Sequence, residues 1–205
     1  MIHHHPSDAT LVAHAAGNSI PGHSLVIRVH LTYCPRCRGA LRLLEEIGGG
    51  LVETLRPVAL SDGALARTLA RLEHQDTALL PPALPKSALD ALATGRWRWL
   101  APGIRLIPLA RRDAFDTRLD LIRVDPGTAL PQHDHTGPEI TCILQGGYRD
   151  ETGDYHVGDI AEGEPGLDHA PVALDGAECV CVIATTGRLR ARSMVARVVQ
   201  RFVGI

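Results

Sequence analysis

The 205 residues suffice for two small domains of roughly 80 and 120 residues, each with a modest core. Twenty-one Lys and Arg against 23 Asp and Glu leave a net charge of −2, which offers no bulk attraction for nucleic acid or an acidic membrane surface, so direct DNA binding is disfavoured. No apolar run of ~18 residues and no export leader is present, and the five cysteines are odd in number and sparse, so the expectation is a cytoplasmic chain in a reducing compartment.

In chain order, Ser7 or Asp8 can cap a first helix through Leu11, Val12 and Ala16, which Gly17 and Asn18 stop. Pro21 opens a second helix through Leu25, Val26, Val29 and His30, broken at Cys34-Pro35 because proline moves the preceding residue out of the helical region. Pro35 suits the first turn of a third helix carrying Leu41, Leu43, Leu44 and Ile47. The triplet Gly48-Gly49-Gly50 has no preceding strand and no following Lys-Ser/Thr, so it reads as a helix stop rather than a phosphate loop. Residues 54–60, with Pro57, read as extended, and a fourth helix follows Ser61 with Leu65, Leu69 and Leu72 at helical spacing. Residues 1–75 thus form an all-α unit.

Residues 76–86, with Pro81, Pro82 and Pro85, read as a linker, and 87–205 as a second domain. A short helix over 87–94 precedes a change of period. Ile104, Leu106, Leu119, Leu121, Ile122 and Val124, then residues 140–144, 180–184 and 198–202, form short runs punctuated by Pro and Gly, as in a β-sandwich or barrel. Trp97 and Trp99 alternate before Leu100 and read as cover for the barrel edge or the domain interface.

Eleven histidines against seven aromatic residues direct attention to metal ligation, with the N-terminal His3, His4 and His5 taken as native. His30-x3-Cys34-x2-Cys37 places an imidazole near the end of one helix and two thiols at the start of the next. A two-residue spacer lets both sulfurs reach one ion, and the helix N-terminus favours thiolate. That is three-quarters of a tetrahedral zinc site; His3, His4, His5, His14 and His23 are candidates for the fourth place, and His5 is favoured. A redox dithiol and two plainly buried cysteines are the competing readings.

Gly127-x5-His133-x-His135-x3-Glu139-x6-Gly146 puts two imidazoles on one face of a strand, with a turn at Thr136-Gly137-Pro138 that can return a carboxylate toward them. His169, after the turn that follows Gly158-Asp159, is a fourth candidate ligand. Cys142, Cys179 and Cys181 fall on strand-like segments and read as packing residues, with a redox role for Cys179 and Cys181 as the alternative. His14, His23, His74 and His156 read as ordinary surface or half-buried residues.

This second constellation resembles the double motif of the cupins. Its first half matches the family spacing residue for residue; in the second, Gly158, Gly166 and His169 fall in register, the proline is displaced by one, and Ala173 stands where the family has asparagine. The resemblance implies a jelly-roll-like antiparallel barrel with a divalent metal, zinc foremost with Mn, Fe, Ni or Cu as alternatives, held by His133, His135, Glu139 and His169.

The two ends together, His5 before Pro6-Ser7-Asp8, the run from His30 to Cys37, and the cupin set with Leu144-Gln145-Gly146 and Arg149-Asp150-Glu151, resemble the ChrR-type anti-sigma factors over nearly the whole chain. The resemblance implies a zinc-binding helical domain that holds an extracytoplasmic-function (group IV) sigma factor away from core RNA polymerase. It further implies a cupin sensor that promotes release on oxidative stress such as singlet oxygen or organic peroxide. A four-helix unit of this size also cannot enclose all its leucines, so an apolar groove for a partner's helices is a physical expectation. The rival from another class is a cupin metalloenzyme, dioxygenase-like, with a helical accessory domain.

Overall fold

The computed structural model describes residues 2–73 and 97–191, with four helices and eleven strands in that span. The proposed linker 76–86, the short helix 87–94, the strand 198–202 and His74 lie outside the described residues.

Helix α1 (Asp8–Ala15) starts where the Ser7 side chain accepts the Thr10 N–H, satisfying one of the free donors of the first turn. Helix α2 (Pro21–Tyr33) has proline at its first position. It ends at Cys34, whose extended backbone (φ −105°, ψ 101°) is the conformation Pro35 imposes on its predecessor. Cys34 is thus both the C-cap of α2 and the N-cap of α3 (Pro35–Glu53), its Sγ accepting the Cys37 N–H at 3.4 Å. Two helix ends meet at one cysteine.

The glycine triplet does not stop α3, contrary to the sequence expectation; the helix continues through it to Glu53. Glycine permits a left-handed end without requiring one, and none of the three adopts a positive φ. Residues 54–60 carry no regular element, and α4 (Ala64–Glu73) follows Ser61 as expected.

The strands form three antiparallel sheets. β1 (Arg98–Ala101), β2 (Ile104–Ala110), β3 (Thr117–Val124), β5 (Glu139–Gln145), β8 (Ile160–Gly163) and β10 (Cys179–Thr186) make a six-stranded sheet in the order β1-β2-β3-β10-β5-β8. β7 (Gly153–His156), β6 (Gly147–Asp150) and β9 (Val172–Ala173) make a second, and β11 (Leu189–Ala191) with β4 (His133–His135) a third.

Both faces of the central strands are buried. On β3 and β10, Asp120, Ile122, Cys179, Cys181 and Ile183 line an internal cavity, whereas Leu119, Leu121, Val182 and Ala184 point outward into a core shared with α2. On β5, Glu139 and Thr141 face in, while Ile140 and Cys142 face α2. Alternation therefore survives as geometry but not as polarity, which is why Cys179-Val180-Cys181-Val182-Ile183-Ala184 reads as one continuous apolar run. From α2, Val26, Ile27 and Val29 are at most 1% exposed. The helical unit and the barrel are joined through a common apolar core.

Candidate metal centres

The N-terminal centre forms where α2, α3 and the segment before α1 meet. Donor atoms of His5, His30, Cys34 and Cys37 all lie within 4.8 Å of one another. His5 Nδ1 stands 3.4 Å from Cys34 Sγ and 3.3 Å from Cys37 Sγ. The structure brings His5, His30, Cys34 and Cys37 together; His3, His4, His14 and His23 are not part of that cluster.

The chemistry of this set fits a cation. His30 is fully buried, and its Nδ1 donates to the Gly158 carbonyl at 2.6 Å, so the proton sits on Nδ1 and Nε2 presents a lone pair. That Nε2 is buried without a hydrogen-bond partner. Burial pushes the Cys37 thiol up to about 12, with the adjacent Cys34 adding to the shift. Thiolate at neutral pH therefore needs a positive ion at the sulfur. Burial lowers His30, and burial followed by Arg36 lowers His5, which keeps both imidazoles in the neutral, ligating form.

The second centre lies inside the barrel. His133 and His135 sit on β4 two residues apart, and His169 is brought opposite by a bridge in which His133 and His169 exchange backbone hydrogen bonds of 3.2 and 3.1 Å. Their Nε2 atoms converge, His133 to His169 at 3.1 Å and His135 to His169 at 3.2 Å. His133 Nδ1 donates to the Pro131 carbonyl at 2.7 Å, and His169 Nδ1 faces the Asp150 carboxylate at 3.8 Å. The His133 tautomer is thereby set with its Nε2 lone pair aimed at His169 Nε2, and a cation held among the converging Nε2 atoms would satisfy them.

Glu139 holds a different position from the imidazoles. Its carboxylate, 7% exposed, accepts from Thr185 Oγ1 at 2.7 Å and stands 3.3 Å from His135 Nδ1, outside the group formed by the three Nε2 atoms. Burial raises Glu139 to about 7 despite the Thr185 hydrogen bond, and burial with the two neighbouring imidazoles lowers His135 to about 3. For His169, burial acts downward, but Asp150 and Glu139 outweigh it and raise the group.

A region of the ChrR cupin-like domain family matches residues 86–188. The anti-sigma-E factor ChrR of Cereibacter sphaeroides is 39% identical over 213 residues, covering 100% of this chain and 99% of that protein. The chain belongs to the ChrR family. The crystal structure of Rhodobacter sphaeroides SigE in complex with the anti-sigma ChrR superposes with a TM-score of 0.74 at 39% identity, over 90% of this chain and 99% of that one.

In this member of the ChrR family the barrel encloses a cavity of about 490 Å³ that reaches His133, Glu139 and His169. Apolar side chains such as Leu106, Ile122 and Leu130 form most of its wall. Trp99, on the edge strand β1, borders it and is 66% exposed. Cys179 and Cys181 face the barrel interior, and Cys142 the α2 interface; burial pushes Cys142 and Cys179 up to about 12.

Several residues around the centres were not expected from sequence. Asp150 and Thr185 orient His169 and Glu139, and Gly158 orients His30. Asp150 and Gly158 stand in the motifs that carry the family resemblance, but no local spacing ties Gly158 to a histidine 128 positions away.

Proposed function

We propose that this chain is an anti-sigma factor: the helical unit, shaped by zinc, sequesters an extracytoplasmic-function (group IV) sigma factor, and the metal-binding barrel senses oxidative stress and promotes release. The carrying observation is the stripe Leu43, Ile47 and Leu51 on α3, 58%, 55% and 65% exposed and spaced one helical turn apart. The stripe is an apolar face suited to a partner's helices, and Leu65 and Leu69 of α4, 69% and 50% exposed, offer a second one. The opposite side of the unit, on α2, is covered by the barrel.

The regulatory reading rests also on the full-length likeness to an anti-sigma factor whose complex with SigE is known. It takes precedence over a dioxygenase-like enzyme, because the relative matching from end to end is a regulator. No helix among the described residues is long and apolar enough to cross a membrane, and a protein that sequesters a sigma factor acts in the cytoplasm.

For the metals, two thiols and two imidazoles match the donor preference of structural zinc. Three imidazoles with a nearby carboxylate suit zinc and equally Mn, Fe, Ni or Cu. The cavity supports the sensing role, since its volume of about 490 Å³ would accommodate a small oxidant such as an organic peroxide, or singlet oxygen, beside His133 and His169. Glu139 would complete the set together with His133, His135 and His169.

Co-expression with sigma factors of the same genome tests this reading. A one-to-one complex is expected with one of them. Ile47→Asp combined with Leu51→Asp should abolish it while leaving the chain folded by circular dichroism. Failure of every sigma factor to copurify would sink the proposal.

A further inference from the structure

The segment that carries His5 is held by the barrel as well as by the helices. Asp159, fully buried, uses Oδ1 to accept the N–H groups of His3 at 2.7 Å and His4 at 3.0 Å, and Oδ2 to accept that of His156 at 2.9 Å. The Ile160 N–H donates to the His4 carbonyl at 3.2 Å. Further along β8, the Glu162 carboxylate accepts the Ser7 N–H at 3.2 Å. Residues 3–7 therefore run along the edge that β8 leaves open in the six-stranded sheet.

The same turn reaches the second imidazole of the centre. The Gly158 carbonyl fixes His30 from behind, and Gly158 adopts φ +89°, a conformation open to glycine. A Cβ there would strike Ile2 Cδ1 and come within 2.8 Å of Tyr33 Cβ, so the turn sits pressed between the N-terminal segment and α2. Both nitrogen donors of the N-terminal centre thus depend on one barrel dipeptide. On its other side β8 pairs with β5, Gly163 opposite Glu139, which places a single strand between the two centres.

We propose that Asp159 is a positioning residue of the N-terminal zinc centre, through which the barrel supplies the outer shell of a site whose four donors all come from the helical unit and the segment before it. The zinc centre is then composite. A disturbance of the barrel that shifts β8 loosens His5 and His30 directly, without first unfolding the helices. Outer-shell partners of metal ligands contribute about 10- to 100-fold to metal retention, and three backbone donors on one buried carboxylate cannot all be satisfied by an amide.

The inference rests on the zinc reading of the N-terminal cluster, and its test separates the two. Full-length chain loaded with zinc is mixed with the chromophoric chelator 4-(2-pyridylazo)resorcinol, and release is followed with time; the phase missing in Cys34→Ser belongs to the N-terminal centre. Asp159→Asn should speed that phase about 10- to 100-fold while leaving the remaining phase unchanged. Should Asp159→Asn fail to fold, His3→Pro, which lacks the N–H that Asp159 accepts, should speed the same phase severalfold. An unchanged N-terminal phase overturns the inference, as does a parallel acceleration of both phases with a lowered thermal midpoint, which marks a scaffold residue only. If Cys34→Ser loses no zinc at all, the zinc reading itself falls and the inference with it.

Discussion

Cys37 sits in surroundings that make it a poor nucleophile until a cation arrives. Its thiol, raised to about 12 by burial, is protonated in the metal-free chain at neutral pH, whereas zinc binds thiolate. Binding must therefore release that proton, and raising the pH favours it. The two imidazoles are held neutral and contribute no opposing proton uptake. Zinc affinity, measured by chelator competition, should rise by at least about tenfold per unit between about pH 6 and pH 8; a flat profile would contradict the assignment. Cys34→Ser should remove about one zinc equivalent by elemental analysis and leave the barrel folded, since the second donor set shares no residue with the first. At this scale much was legible. His30, Cys34 and Cys37 announce themselves by spacing alone, and the place of His5 follows from its position just ahead of α1. What spacing could not convey is the role of Asp159, because its backbone partners lie 155 and 156 residues away. Nor could it convey that the Glu139 carboxylate stands beside His135 Nδ1, since that depends on side-chain rotation.

Among the elements, α3 and α2 face opposite demands. α3 carries three consecutive glycines in right-handed helical conformation, and a methyl group at any of them meets nothing within 4 Å. Gly49→Ala should therefore stabilise the chain by about 0.5–1 kcal/mol in urea denaturation, through the reduced entropy of the unfolded state; a loss of stability would show that the run is under constraint. α2 instead is locked into the core. Ile27, fully buried against the outer face of the barrel, should cost about 2–5 kcal/mol when replaced by alanine, and a cost well below about 1 kcal/mol would mean that the two units do not share a core. The element pattern was legible wherever a proline or a polar cap punctuates it, as at Pro21, Pro35 and Ser7. It misleads at the glycines, whose permissiveness does not amount to a stop. The apolar run of β10 signalled a strand but not its two buried faces, because the helix covering one of them comes from the opposite end of the chain.

Taken as a whole, the molecule has one side of its helical unit committed to the barrel and the other left apolar and open. The barrel side carries a second donor set next to a cavity, and one strand, β8, pairs with the Glu139 strand on one side and meets the segment that carries His5 on the other. This arrangement suits a regulator in which partner binding and sensing are spatially separate but mechanically joined. Glu139→Ala should accordingly impair the response to peroxide or singlet oxygen while sparing sigma-factor binding, assayed by copurification before and after exposure. Loss of binding without any stress would contradict that separation. The division between an α unit and a β-barrel was legible from the change of hydrophobic period near residue 100. Their packing through α2 was not, because a shared core requires knowing which face each strand turns outward. The central claim is tested most directly by run-off transcription with core RNA polymerase and the cognate sigma factor. The account predicts that the full chain suppresses the transcript at a one-to-one ratio and that Cys34→Ser does not; undiminished transcription in the presence of the folded, zinc-loaded chain would contradict it.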